Sequence, residues 1–507
     1  MGKPKYTLTM KTLLIPLDPN ATKPLYLQIA DHITQLARKG QLHPGKQLPP
    51  TRVLAEDMRV HRSTVINAYE ELKARGVIDA RQGSGSFIAR GLDEMTAAIQ
   101  PTSPSDLTRP DDLIAELRRL NWSPGVISLG YGPPADELMP VEDFDRARRQ
   151  VLRRDGVKTA NYEMPEGYYP LREAIAGDLA RHGIQIDAED IVITAGAIEG
   201  VSLVARALAA PGDTVLFELP QYFGTWTNFM YLGLHTTGFE LHETGPDWAS
   251  LNHQVQNSSV RPRFVFVTPD HQNPMGIRWG MPQRYQFLKT INEADLPIVE
   301  DATYRDLTYD GAPHPPLRAL DPNVIYVGTF SHSLMPGLRI GFVACGGRLR
   351  DHIVRLKAAS SGPGETLNQR ALADFLTSGE YARHLERIIP VYRSRRDGLL
   401  AALQAYFPPE LRWTHPSGGF FVWVWLPENL SPQILFSRAL KSGITIAPAA
   451  AFYPGQAAQS AFRLAFSRYP EEVLERAAMI LGRLIEVMLK DYDQGEKYGQ
   501  SAERTTR

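Results

Sequence analysis

The residues best placed for chemistry stand at the ends of apolar runs. Thr194-Ala195-Gly196-Ala197 follows one such run and opens a helical pattern. A strand-to-helix turn of this kind aims the backbone N–H groups of Gly196 and Ala197 outward at the positive end of a helix, where a phosphate binds. The same residues alone fit a plain turn equally well. Asp301 closes Ile298-Val299-Glu300-Asp301, at the carboxyl end of a strand, where open α/β sheets hold their ligands. Arg339 offers a bidentate charged contact to an anion. His332, in Phe330-Ser331-His332-Ser333, has a side chain that exchanges a proton near neutral pH. The turn Asn273-Pro274-Met275-Gly276 after an apolar run is an uncommon one.

Two kinds of element must position these groups. Residues 23–90 read as a small unit. Residues 25–39 form an amphipathic helix with Ile29, Ile33 and Leu36 at helical spacing. Thr51 is placed to cap a short helix carrying Leu54, Ala55 and Met58, and a second helix spans 63–75, ended by Gly76. Residues 77–80 and 86–88 flank Gln82-Gly83-Ser84-Gly85 and read as a hairpin. Residues 91–121 form a Pro- and Ser-bearing linker with a helix at 111–120. Residues 122–490 alternate strands (190–194, 214–218, 264–268, 298–301, 324–329, 340–345) with helices, the pattern of a doubly wound α/β domain. The polar tail 491–507 is expected to be disordered.

The 507 residues carry a net charge of −1, so no whole-molecule field favours nucleic acid or membrane. No apolar run is long enough to cross a bilayer, and the N-terminus lacks the pattern of a signal peptide. One cysteine excludes an intrachain disulfide framework and a cysteine-rich zinc site. No metal is expected, and a cytoplasmic location is. Residues 24–90 nevertheless hold ten Lys/Arg against six Asp/Glu, a local positive excess.

The stretch from Gln41 to Ala55, then Val60-His61-Arg62-Ser63-Thr64-Val65, then Arg81-Gln82-Gly83-Ser84-Gly85-Ser86, resembles the GntR winged helix-turn-helix. It departs at His61, where that family usually has serine. The resemblance implies binding to a double-stranded DNA operator. Arg62, Ser63 and Thr64 would meet base edges and phosphates from the start of the recognition helix. Thr51 and Arg52 would face phosphate at the preceding helix N-terminus, and Gly83 would let the wing tip approach the duplex. Taken alone, Arg62-Ser63-Thr64 also reads as a helix cap with a solvated arginine.

The larger part resembles fold-type I pyridoxal-phosphate (PLP) aminotransferases over its full length, with a smaller C-terminal α+β lobe, and the fusion resembles MocR regulators. The resemblance implies a residue set for PLP. Gly196, Ala197, Thr329, Ser331 and Arg339 would hold the phosphate, and Tyr222 would stack on the ring. Asp301 would keep the pyridine nitrogen protonated, and Asn273 and Tyr304 would bond the phenolate oxygen. Arg463 would take a substrate carboxylate, and Tyr162 would reach the neighbouring subunit's phosphate. The Asp301-x-x-Tyr304 spacing is closer to the aminotransferases than to many MocR chains.

The family reads Phe-Ser-Lys where this chain has Phe330-Ser331-His332. Imidazole forms no stable Schiff base, and no lysine lies between Lys289 and Lys357. The expected protein is a homodimeric regulator that senses PLP, non-covalently or as an aldimine adduct, with an amino acid or amine as effector. Two alternatives stand beside it: an enzyme using His332 as acid or base, and a dimerisation scaffold with a vestigial pocket. Natural loss of the lysine and an introduced histidine are equally compatible with the sequence.

Overall fold

The computed structural model describes Leu17, Leu42 and residues 24–38, 45–74, 77–81, 85–88, 110–256 and 260–505. The chain divides into two compact units, Met1–Pro101 and Thr102–Arg507.

In the first unit, α1 (Leu25–Arg38), α2 (Thr51–Met58) and α3 (Arg62–Ala74) precede an antiparallel hairpin, β1 (Ile78–Arg81) and β2 (Gly85–Ile88). Ile29, Ile33, Leu54, Val65, Leu72 and Ile88 form its core, the apolar spacing read from the sequence. Two details differ from that reading. Pro50, not Thr51, occupies the cap position of α2 and no side chain caps it; Thr51 is the first helical residue. The start of α3 is held by His61, whose Nδ1 lies 2.7 Å from the Ser63 hydroxyl and accepts from the Ser63 N–H at 3.4 Å. The imidazole thus takes the acceptor position that serine commonly fills at a helix start. Gly76 and Gly83 lie outside the described residues.

The second unit begins with α4 (Pro110–Asn121). Its main sheet has eight strands: β3 (Ile191–Thr194), β4 (Thr214–Leu219), β5 (His235–His242), β6 (Gly245–Pro246), β7 (Val265–Val267), β8 (Ile298–Asp301), β9 (Ile325–Thr329) and β10 (Gly341–Ala344). Their order is β3-β10-β9-β8-β7-β4-β5-β6. The strands β9, β8, β7, β4 and β5 run parallel, while β10 is antiparallel to both its neighbours. The central strands are apolar on both faces, as a sheet covered by helices requires. Because β10 is reversed, it starts at the edge where β3, β8 and β9 end and runs away from it.

A smaller lobe holds an antiparallel sheet of β11 (Arg412–Trp413), β12 (Phe421–Trp425), β13 (Ala447–Pro448) and β14 (Ala461–Ala465), in the order β11-β12-β14-β13. Two long helices cover it, one at Glu380–Tyr406 and one at Glu471–Thr505. The second helix continues as far as Thr505, into the segment expected to be disordered. Among the described residues no helix is long and apolar enough to cross a membrane, and no group of three or more His, Cys, Asp or Glu side chains is arranged to hold a metal ion.

Fully buried Arg284 donates to Asp270 at 2.6 Å and to the carbonyls of Trp279 and Pro315. Removing one partner of such a pair strands a buried charge. Asp270→Ala is therefore expected to destabilise the larger unit by about 3–5 kcal/mol, measured by chemical denaturation, with the winged unit's own transition unchanged.

Candidate functional site: a ligand cavity at the carboxyl edge of the sheet

Strand ends and one helix start converge on a cavity of about 430 Å³, within the roughly 300–1,000 Å³ common for small-molecule sites. Asp301, Thr329, Ser331, His332, Arg339, Asn273, Tyr304, Tyr222, Ala197 and Arg463 all line it. Ten of the residues singled out in the sequence, spread from position 197 to 463, therefore share one space.

One part of it is an anion cradle. Gly196 sits at the N-cap of α5 (Ala197–Leu208), with φ +88° and no side-chain cap, so the first N–H groups of α5 keep their capacity for an anion. The Arg339 guanidinium lies directly over Gly196, where an added Cβ would stand 2.8 Å from Nη2. Its Nη2 also donates to the Ala195 carbonyl at 2.7 Å. Gly341, facing Thr194 across the β10–β3 ladder, has no room for a Cβ against Gly196. The Thr329 hydroxyl donates to the Ile340 carbonyl at 3.1 Å and lies 3.0 Å from the Ser331 hydroxyl, from which it accepts.

Asp301 lies deeper, at the end of β8. Its Oδ1 accepts from the Thr303 N–H at 2.9 Å and the Thr303 hydroxyl at 2.5 Å. Burial raises its pKa, against the lowering effect of those bonds, and among the described residues it joins no ion pair. Opposite in sign, Arg463 is fully buried on β14. It donates to Asn273 Oδ1 at 2.6 Å and to the Gly130 carbonyl at 2.7 Å, and its Nε has no partner among the described residues. The rings of Phe421 and Phe452 flank its guanidinium at 4.2 and 4.8 Å. Burial depresses its pKa to about 10. Because Asn273 accepts from Arg463, its Nδ2 remains as the donor on that side chain.

His332 packs against Tyr304, with ring centroids 4.7 Å apart, and its Nδ1 is buried without a partner among the described residues. Burial, and secondarily Arg339, push its pKa down to about 4, so the imidazole is neutral at pH 7. The turn carrying it is anchored from behind. Tyr381 OH bonds Ser333 Oγ and Asp306 Oδ2, each at 2.7 Å, and His384 Nε2 lies 3.0 Å from the Ser333 carbonyl. Among the described residues that line the cavity there is no lysine. The nearest lysine in sequence, Lys357, is engaged elsewhere, with Nζ donating to Pro165 and Gly362 carbonyls.

Several cavity residues were not read from the sequence: Thr303, Gln221, Thr268, Tyr131 and Trp122. Asp301-x-Thr303 had a legible signal, since a threonine two residues after a strand-end carboxylate commonly bonds it. The others lie on loops whose path only the fold determines. Tyr162 does not line the cavity; its side chain is 93% exposed. In the winged unit, Arg52, Arg62 and Ser63 are exposed, Thr51 and Thr64 are half-buried, and α3 also presents Ile66 and Asn67. Arg52 pairs with Glu56 at 3.1 Å.

Residues 124–481 match the family of aminotransferases class I and II, and residues 25–88 match the bacterial regulatory proteins of the gntR family. The chain belongs to the class I and II aminotransferase family. It carries in addition an N-terminal GntR helix-turn-helix domain, the composition of MocR-type regulators. It is similar to the HTH-type transcriptional regulator YdcR of Escherichia coli (strain K12), 30% identical over 92% of this chain and 99% of that protein. It is likewise similar to "Probable rhizopine catabolism regulatory protein MocR" of Rhizobium meliloti, 29% identical over 86% and 88%. Among solved structures it resembles LysN, the α-aminoadipate aminotransferase of Thermus thermophilus complexed with N-(5′-phosphopyridoxyl)-L-leucine. That likeness has a TM-score of 0.69 at 31% identity, covering 78% of this chain and 97% of that one. The GntR domain implies DNA binding and the aminotransferase fold implies PLP. The residues present fit that cofactor: an uncapped helix start with Arg339 for its phosphate, and a half-buried carboxylate, without an ion pair among the described residues, for its ring nitrogen.

Fully buried Glu218 lies beneath the cavity floor and accepts from the Thr268 N–H at 3.0 Å. Burial lifts its pKa from 4.5 to about 8. A carboxyl whose folded pKa is raised holds a proton that the unfolded chain releases, so stability falls as pH rises from about 4.5 through 8. Glu218→Gln removes that dependence. Between pH 6 and 9 the wild-type Tm is expected to fall more steeply than that of the variant.

Proposed function

We propose that this GntR-type regulator senses a PLP-derived ligand held without a covalent bond, with His332 standing where the aminotransferases carry their Schiff-base lysine. The observation that carries the proposal is the lining itself. It keeps a phosphate cradle, a half-buried acid and a buried arginine, and includes no lysine among the described residues. When bound, the cofactor supplies an electron-withdrawing ring.

Each side chain has a part in this reading. Gly196, Ala197, Thr329, Ser331 and Arg339 bind the phosphate, and Tyr222 covers the ring. Asp301 keeps the pyridine nitrogen protonated; a cation there relieves the burial that raises its own pKa. The Nδ2 of Asn273 and the hydroxyl of Tyr304 donate to the phenolate oxygen, and Arg463 takes the carboxylate of an amino acid effector. A LysN complex with a phosphopyridoxyl amino acid supports a cavity of this fold accommodating both halves of such a ligand. The low pKa of His332 argues against the enzyme reading, since a conjugate acid of about 4 makes a weak base at pH 7.

The winged unit binds a double-stranded DNA operator through Arg52, Arg62, Ser63, Thr64 and the start of α2 at Thr51, with Gly83 at the wing tip. The protein acts as a homodimer in the cytoplasm. Exposed Tyr162, Val157 and Met164, at 93, 76 and 65%, favour a face that a second copy covers.

Absorbance spectra of the purified protein with PLP test the pocket. His332→Lys is expected to gain a visible band from covalent attachment that the wild type lacks. If the variant gains none, or if the wild type already shows that band, the reading falls. For the head, Arg62→Ala is expected to weaken binding to duplexes selected from a random pool by about 1–3 kcal/mol, measured by fluorescence anisotropy. An unchanged affinity removes Arg62 from the interface.

A further inference from the structure

The cavity lining is of two kinds. Besides the phosphate cradle, Asp301 and Arg463, it includes an apolar and aromatic wall of Trp122, Tyr131, Pro133, Pro134, Ile198 and Phe223. Two adjacent prolines contribute no backbone N–H. The charged side chains of the lining are Asp301, Arg339 and Arg463, and the proposed ligand uses all three at its ring nitrogen, phosphate and carboxylate. Two cations stand next to this wall but are not part of the lining: exposed Arg118 lies 5.7 Å from the Phe223 ring centroid, and Arg468 donates to Asn121 at 3.2–3.3 Å and flanks Trp122 at 5.9 Å. Trp122 itself follows the end of α4 and is 76% exposed at the rim. An indole so placed gains by covering an apolar or aromatic group.

From this arrangement we infer that the effector is an α-amino acid with a large, uncharged, apolar or aromatic side chain. The inference rests on the proposed binding of a phosphopyridoxyl amino acid in this cavity. With the ligand carboxylate on Arg463 and the phosphate on the α5 start, the side chain is left to the Trp122–Phe223 wall. An aromatic or branched aliphatic group there removes apolar surface from water on both sides. An acidic side chain in the same place would lose its hydration against prolines and rings without gaining a counter-charge from the lining.

The test uses reduced adducts, which need no lysine for attachment. Full-length wild-type protein is titrated by calorimetry with the N-(5′-phosphopyridoxyl) derivatives of L-phenylalanine, L-leucine and L-glutamate, and with pyridoxamine phosphate. The phenylalanine and leucine adducts are expected to bind at least about tenfold more tightly than the glutamate adduct, a difference of about 1.4 kcal/mol. Trp122→Ala should reduce that preference severalfold while leaving the affinity for pyridoxamine phosphate unchanged. Trp122→Arg, which adds a cation to an exposed position, should narrow or reverse it. Equal or tighter binding of the glutamate adduct by the wild type overturns the inference, as does a preference that neither variant alters. Binding of pyridoxamine phosphate but of no adduct overturns it and leaves the cofactor reading standing. If pyridoxamine phosphate also fails to bind, both fall together.

Discussion

Two charges of opposite sign, half-buried Asp301 and fully buried Arg463, share one cavity, and neither has an ionic partner among the described residues. Desolvating a charge costs several kcal/mol, and proteins ordinarily offset that cost with a counter-charge or a full set of hydrogen bonds. Here Asp301 has only Thr303, and Arg463 has an amide oxygen, one carbonyl and two aromatic faces. A fold that keeps both groups in this condition must hold them rigidly, from two different sheets. Asp301 ends a central parallel strand of the main sheet, and Arg463 sits in the small lobe opposite Trp423. The cavity is therefore the seam along which the main sheet and the small lobe meet.

The reversed strand β10 solves a related geometric problem. In a purely parallel sheet, each connection leaves the carboxyl edge and returns at the other one. By running β10 backwards, the chain keeps the whole connection from Phe330 to Ile340 at the ligand edge. Ser331, His332 and Arg339 consequently belong to one loop that starts and ends beside the same helix start. Its tightness has a steric signature at Gly341 and Gly196, where backbones approach too closely for a Cβ.

Much of this was legible in the sequence because chemistry-bearing residues lay at strand ends, and strand ends are what apolar runs reveal. Asp301, Asn273, Arg339 and the Gly196 turn were found that way, and the GntR head was read from its helical spacing and wing. Other features were not, for physical reasons. The direction of β10 cannot be inferred from its apolar residues, since parallel and antiparallel buried strands look alike. His61 gave no sign of capping α3, because an imidazole serves as an acceptor only when its ring is turned toward the helix start. Trp122 lies just past the end of a linker-borne helix, and only packing brings it to the cavity rim. Polar composition suggested disorder after Asp491, yet the helical backbone continues to Thr505. Polarity shows that a segment lacks a core, but it does not prevent a helix from propagating once its first turns are anchored by packing.

The helix Glu380–Tyr406 is anchored at one end to the turn behind His332, through Tyr381 and His384. Toward the other end it is tied to the small lobe, through Arg396 to the Pro416 carbonyl and Tyr406 to Glu475. At 1.5 Å per residue its 27 residues make a rod of about 40 Å. Pro390 interrupts its hydrogen-bond ladder nearer the cavity end, where a proline weakens a helix against bending. One helix thus has one end against the His332 turn and the other against the far side of the lobe, so these two distant regions are joined through a single element that carries an interruption at Pro390.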